Sequence, residues 1–272
     1  MSYYHHLIKS GVPLGALTTA WIAATSETDT TIISALNTLE NNLNTYGLTS
    51  KIKALYPMVG GTAAKHKFNF LDARDLNAAF RLTFNGGWTH SSTGALPNGV
   101  NAYADTYLLP SVSLTQNSCG FSYYSRTNRL SISAGVPCGV YNASNYQFML
   151  YARYTGNNMQ TRIATTVYAG DVYSGITDSR GFFTASRSTS AYSKLFRNGT
   201  SLGNGAVAST GLPGAAGDKF FIGGLSWQNS LQFPDDEEFA FNAIHNGLTD
   251  GEAANFYTAV QAFQTTLSRQ VI

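Results

Sequence analysis

The hydrophobic pattern is sharpest between residues 191 and 267, where its period changes from two to three and four. Residues 191–197 set Tyr192 and Phe196 on one face and Leu195 and Arg197 on the other, a strand with one imperfect face. Asn198-Gly199 supplies two residues that tolerate positive φ, as a two-residue hairpin turn requires, and residues 200–202 begin the return strand. Beyond a Gly/Ala/Pro-rich loop at 203–217, residues 219–224 read as a short buried strand. Residues 238–244 then alternate Phe239, Phe241 and Ala243 with Glu238, Ala240 and Asn242. Thr249-Asp-Gly-Glu252 forms a capping box, in which the Thr hydroxyl accepts the Glu252 amide and the carboxylate returns to the Thr amide. The helix it opens carries Ala253, Phe256, Tyr257, Val260, Phe263 and Leu267 at steps of three and four, an apolar stripe that packs on the body.

Upstream the elements are shorter. Residues 1–20 show no clear period, whereas residues 28–46 predict a helix with Ile32, Ile33, Leu36, Leu39, Leu43 and Tyr46 on one side, Thr28 or Asp29 as cap and Gly47 as stop. Residues 51–56 predict a strand that Pro57 ends. Residues 72–80 predict a helical turn capped by Asp72 with Leu76, Ala79 and Phe80 inward, feeding a strand at 81–84 and a long loop at 85–98. Short strands then recur at 103–108, 120–126, 146–154, 162–167 and 181–187, with Gly, Asn and Ser between them, the spacing of a sandwich. The expectation is a mainly β chain, an antiparallel β-sandwich with an N-terminal helix and a capped C-terminal helix. Residues 1–49 would form an arm and helix for attachment or subunit contact, and residues 50–272 the sandwich with its helix.

The order strand, Asn-Gly turn, strand, "Phe-Ile-Gly" strand, strand and Leu-Thr-Asp-Gly-Glu-Ala before a helix resembles the closing half of a concanavalin or laminin G-like jelly-roll. Longer strings resemble a narrower family: Tyr56-Pro-Met-Val-Gly-Gly, Phe80-Arg-Leu-Thr-Phe-Asn-Gly-Gly-Trp-Thr-His, Gly94-Ala-Leu-Pro-Asn-Gly-Val-Asn-Ala-Tyr-Ala-Asp-Thr and Asn255-Phe-Tyr-Thr-Ala-Val-Gln-Ala-Phe-Gln-Thr-Thr-Leu. These are similar to tailed-bacteriophage virion proteins, tail or head-surface components with a lectin-like domain, and the likeness spans roughly residues 20–272. The resemblance implies a virion structural protein used in assembly or host attachment, built into particles in the host cytoplasm. Its partners would be other virion proteins and further copies of itself, since such assemblies are symmetric. It brings no catalytic motif and no cofactor. The alternative is a glycan-binding adhesin that contacts a host surface glycan or receptor, with a glycan-cleaving enzyme third.

Composition sharpens this picture. Only 12% of residues are charged, against about 25% in ordinary soluble domains. Hydroxyl, amide and aromatic side chains fill the difference, which suits strands, turns and contact surfaces. A net charge of +2 from scattered basic residues lacks the concentrated patch that nucleic acid requires. Residues 9–24 carry apolar runs, but Gly11, Pro13, Gly15 and two threonines interrupt them, so neither a leader peptide nor membrane insertion is expected. Cys119 and Cys138 are expected as reduced thiols, with a disulfide as the alternative.

The candidate chemistry is sparse. Glycoside hydrolysis needs two carboxylates on one face with one held protonated. The one acidic cluster, Asp235-Asp-Glu-Glu238, would place Asp235 and Glu237 together but reads as a solvated loop. No Gly-x-Ser-x-Gly occurs and no histidine has a neighbouring Ser or Cys in a known catalytic arrangement, so no catalytic residue is assigned and the chain is expected not to be an enzyme. Asp105, Asp171 and Asp178 stand apart, and adjacent His5 and His6 would point to opposite faces of a strand, so no metal site is expected. Sugar sites stack an aromatic ring on a pyranose and add amide hydrogen bonds. Trp88 with His90 and Asn85, and Trp227 with Gln228 and Asn229, are tryptophans among polar residues and are the candidate ligand contacts; the alternative is that each tryptophan plugs an end of the sandwich.

Overall fold

The computed structural model describes residues 13–129 and 135–271; the Tyr3-Tyr4-His5-His6 segment lies outside the described residues. Among the described residues the long helices are α1 (Ala16–Thr25), α2 (Thr30–Thr45) and α3 (Asp250–Thr266), which accompany a two-sheet sandwich; Ala63–His66 and Pro110–Ser113 are single helical turns. In chain order the strands are β1 (Ile52–Tyr56), β2 (Thr83–Asn85), β3 (Trp88–His90), β4 (Ala95–Pro97), β5 (Tyr103–Asp105), β6 (Cys119–Ser125), β7 (Cys138–Tyr141), β8 (Gln147–Tyr154), β9 (Asn158–Thr165), β10 (Asp171–Tyr173), β11 (Gly181–Arg187), β12 (Lys194–Arg197), β13 (Thr200–Asn204), β14 (Phe221–Ile222), β15 (Leu225–Trp227), β16 (Ser230–Gln232) and β17 (Phe239–His245). The first sheet runs β13-β12-β11-β6-β17-β4-β3, with β1 also on β17. The second runs β10-β9-β8-β7-β14-β5-β2, with β15 parallel to β7 and β16 beyond it.

The sheets meet across an aromatic core. Phe121 and Tyr123 of β6 and Phe183 of β11 point inward against Val140, Phe148 and Ile163 of the second sheet. Phe121 meets Phe148 edge to face, with centroids 5.1 Å apart at 89°. The alternate residues Tyr124, Phe182, Phe196 and Phe241 point the other way, into a second core shared with the helices. The first sheet is therefore buried on both faces, which explains why Gly181-Phe-Phe-Thr-Ala-Ser alternates so little in polarity. Trp21 of α1, Leu36, Leu39 and Leu43 of α2, and Phe256, Val260 and Phe263 of α3 form the helical side of this core. Residues from both expected segments, before and after residue 50, thus bury one another.

α3 has the expected capping box, with the Thr249 amide donating to Glu252 Oε2 at 2.9 Å and the Glu252 amide to Thr249 Oγ1 at 3.3 Å. Asp29 caps α2 by accepting the Thr31 and Ile32 amides. The first helix was not expected from the pattern, and its cap comes from a distant residue. Buried Glu40 of α2 accepts the Leu17 and Thr18 amides and the Thr18 hydroxyl, at 2.7–3.0 Å.

Several expectations change: the stretch 85–98 expected as a long loop contains the antiparallel pair β3 and β4. Residues 72–80 form no Asp72-capped helix, because Asp72 accepts the Arg74 amide and guanidinium instead; only a single turn, Asn77–Ala79, is helical, and Leu76 is exposed. The strand at 219–224 shortens to Phe221–Ile222, since Gly223 turns the chain at φ +84°. Asp235 and Glu237 are not solvated: both are 0% exposed. Cys119 and Cys138 are buried free thiols, and burial pushes Cys119 up to about 12. No helix among the described residues is long and apolar enough to cross a membrane.

Candidate functional site

With the helices packed on the first sheet, the outer face of the second carries its own small apolar cluster of Val136, Met149, Tyr151 and Leu225, edged by Tyr141. Strand register builds it. Arg162 of β9 lies opposite Met149 of β8, Met149 opposite Gly139 of β7, Gly139 opposite Leu225 of β15, and Leu225 opposite Gln232 of β16, one row across five strands. Gly139 is the gap in that row, because a Cβ there would strike Met149. In the next row Tyr141 faces Trp227, and on the other side Tyr151 faces Gln160.

These side chains enclose a cavity of about 270 Å³ lined by Tyr141, Met149, Tyr151, Arg162, Tyr168, Leu225, Trp227, Gln232 and Phe233. This lies just under the ~300–1,000 Å³ of small-molecule pockets. Its rim gathers three large exposed side chains, Trp227 (44% exposed), Tyr168 (68%) and Phe233 (43%). Trp227 lies nearly parallel to Tyr141, with centroids 6.3 Å apart at 17°, and Phe233 stands edge-on to Tyr151 at 5.9 Å. A tight hairpin presents the indole: Gln228 and Asn229 both adopt positive φ (52° and 63°), the conformation of a two-residue turn joining β15 to β16.

Arg162 supplies the charge. Its terminal nitrogens donate to Gln147 Oε1 at 2.8 Å and Gln160 Oε1 at 3.0 Å, and its guanidinium lies 4.8 Å from the Tyr151 ring centroid and 4.1 Å from that of Tyr168. The cation is thus held between two tyrosines and two neutral amides.

The residues singled out from sequence separate into two places. Trp227 is in the cavity wall, while Asn229 fastens the turn by accepting the Lys219 amide at 3.0 Å and donating to the Gly217 carbonyl at 3.2 Å. Trp88, His90 and Asn85 lie elsewhere and hold structure. The Trp88 indole donates to the Asn85 carbonyl at 3.1 Å, its ring meets Phe84 edge-on at 5.2 Å, and it packs where a Gly223 side chain would stand. Asn85 donates to the Thr83 carbonyl. His90 Nδ1 is 2.9 Å from His66 Nδ1, so one ring donates there and the other accepts, and burial pushes His66 down to about 3. Tyr141, Tyr151, Arg162, Tyr168, Gln232 and Phe233 escaped sequence reasoning. The usable signal was the alternation of β8 and β9, which sends Met149, Tyr151 and Arg162 opposite to Phe148, Leu150 and Ile163.

The acidic pair lies inside the fold. Asp235 is in ion pair and hydrogen bond with buried Arg129, and neither Glu237 oxygen has a hydrogen-bond partner among the described residues. The nearby Ser125 and Ser179 hydroxyls donate to the Thr127 carbonyl instead. Burial, and then the neighbouring Asp235, raise Glu237 well above the usual carboxylate range. No group of three or more His, Cys, Asp or Glu among the described residues is placed to hold a metal ion.

No protein-family model and no curated protein matches the chain. Among solved structures it is similar to domain 4 of AbnA, a GH43 extracellular arabinanase from Geobacillus stearothermophilus in complex with arabinotriose, with TM-score 0.49, 14% identity, and coverage of 76% of this chain and 98% of that one. It is also similar to the NanB sialidase of Streptococcus pneumoniae, with TM-score 0.46, 12% identity, and 63% of this chain on 27% of that one. A third likeness is to the CBM40 of the Ruminococcus gnavus IT-sialidase bound to α2,3 sialyllactose, with TM-score 0.36, 18% identity, and 52% of this chain on 82% of that one. At such identities and scores these likenesses assign no ligand to this chain.

Proposed function

We propose that this chain is a glycan-binding module whose binding face is the outer surface of the second sheet. One observation carries the reading: Trp227, Tyr168 and Phe233 stand exposed around a single cavity that also presents Arg162 and Gln232. Aromatic faces match the apolar face of a sugar ring, and a few fixed polar groups orient its hydroxyls. The reading is of binding without cleavage. It is supported by the enclosure of Asp235 and Glu237 within the fold, away from this face. The setting rests on the sequence strings that resemble tailed-phage virion proteins: a tail or head-surface component attaching to host glycan, alongside other virion proteins.

A glycan array probed with the purified chain, followed by titration of the bound glycans, tests the reading. Binding that weakens about tenfold or more in Trp227→Ala supports it, since aromatic stacking contributes on the order of one decade in affinity. A blank array, or binding indifferent to Trp227→Ala, contradicts it. Mass spectrometry of purified particles tests the setting, with this chain expected among the virion proteins.

A further inference from the structure

Arg162 is a buried cation without a counter-ion. It is 5% exposed, yet no carboxylate among the described residues forms an ion pair with it, and it takes only the two glutamine amide oxygens as acceptors. Its Nε–H is shut from solvent and has no acceptor among the described residues. Burying a charge that has only two neutral acceptors and an unmet N–H is costly, and an anion entering the cavity would offset that cost. Arg129, also buried, shows the contrast, being paired with Asp235 and Asp236. Arg187 and Arg269 are buried too, but their guanidiniums spread over several backbone carbonyls. Arg162 lines the cavity, and it is the one charged side chain in that lining.

We propose that the glycan bound here is acidic, a sugar bearing a carboxylate whose anionic group is received by Arg162 while its ring lies against the aromatic rim. This deepens the glycan-binding reading and rests on it. The guanidinium is planar and carries five N–H donors; two go to Gln147 and Gln160, which fix its plane and leave donors for a planar carboxylate. Tyr168 is the cover. Its ring rests on the guanidinium at 4.1 Å but is 68% exposed, so it is held on one side only and an entering anion reaches the Nε–H by displacing it. Tyr151, stacked on the guanidinium at 4.8 Å and within the apolar cluster, stays as the fixed side of the slot. Lysine would not replace this arginine, because a point charge neither stacks between two rings nor presents a fork.

The test uses matched probes on the unmodified chain: trigalacturonate against its methyl ester, sialyllactose against lactose, and a sulfated disaccharide against its unsulfated form. The expected result is that a carboxylate-bearing probe binds about tenfold or more tightly than its uncharged match, with affinity falling as salt rises. Arg162→Gln should erase the difference between the matched probes, whereas Trp227→Ala should weaken both; melting temperatures establish that each variant is folded. If Arg162→Gln does not fold, the acid-to-ester ratio and the salt dependence of the unmodified chain decide alone. Equal, Trp227-dependent binding of acid and ester, or a preference for the sulfated probe only, overturns the carboxylate inference and leaves the glycan reading standing. No binding across the probes and the array overturns both.

Discussion

The indole of Trp227 lies nearly parallel to the phenol ring of Tyr141, with ring centroids 6.3 Å apart and planes at 17°. The pair is set by register, since the two residues face each other across the parallel β15–β7 junction. It holds the indole upright at the rim of the cavity rather than folded onto the surface.

Trp227 and Trp88 should therefore separate binding from stability. Trp227→Ala loses one ring contact and a half-exposed side chain, and should change stability by less than about 1 kcal/mol while weakening glycan binding about tenfold or more. Trp88→Ala loses a ring packed on Phe84 and the sandwich core, and should cost about 2 kcal/mol, below the ~3–5 kcal/mol of a wholly buried tryptophan, with binding retained. Urea unfolding and glycan titration of both variants check this, and the reverse pattern would move the site to the Trp88 end.

The buried acidic pair predicts a pH signature. Burial lifts Asp235 to about 6 and Glu237 further, against the pull of Arg129. A carboxyl whose pKa is raised by folding binds its proton more tightly in the folded chain. Its contribution is complete below the unfolded value of ~4 and is lost as pH rises through the folded value. His66 and His245, pushed down by burial to about 3 and about 4, act in the opposite sense and lose their contribution as pH falls below ~6.5. The diagnostic is therefore the difference between wild type and Glu237→Gln, measured by urea unfolding from about pH 5 to about pH 8. Wild type should lose stability relative to the variant as pH rises; parallel curves would mean Glu237 ionises freely in the folded chain.

The terminal helix offers a test free of functional assumptions. Phe263 is wholly buried against Phe241, so Phe263→Ala should cost about 3–5 kcal/mol. Thr249→Ala removes a cap at the surface and should cost about 1 kcal/mol. Thermal melts order the two, and a reversed order would mean that α3 does not carry the second core.

Where sequence succeeded, the signal was local. Asn198-Gly199, Thr249 with Glu252, and the stripe of Phe256, Val260 and Phe263 each lie within one turn or one helix, so spacing alone exposes them. α1 failed because its cap, Glu40, sits 22 residues after Thr18, while Pro13 and Gly15 blur the start of its pattern. Asp235 and Glu237 do share a face, as alternation implied. Yet both lie inside the fold, where Arg129, 106 residues away, pairs with Asp235. The cavity was the least legible part: Arg162, Met149, Gly139, Leu225 and Gln232 come from five strands and meet only through register. Trp227 alone stood out, as an indole beside a polar turn.

The most direct test of a glycan site on this face is to follow the three tryptophan indole N–H signals by NMR while an oligosaccharide that binds the chain is added. Trp21 is fully buried under the helices and the Trp88 N–H is committed to the Asn85 carbonyl, so each reports on a different place. The Trp227 signal should move in a saturable way while those of Trp21 and Trp88 stay. Movement of the Trp88 signal with Trp227 unmoved would contradict a glycan site on this face.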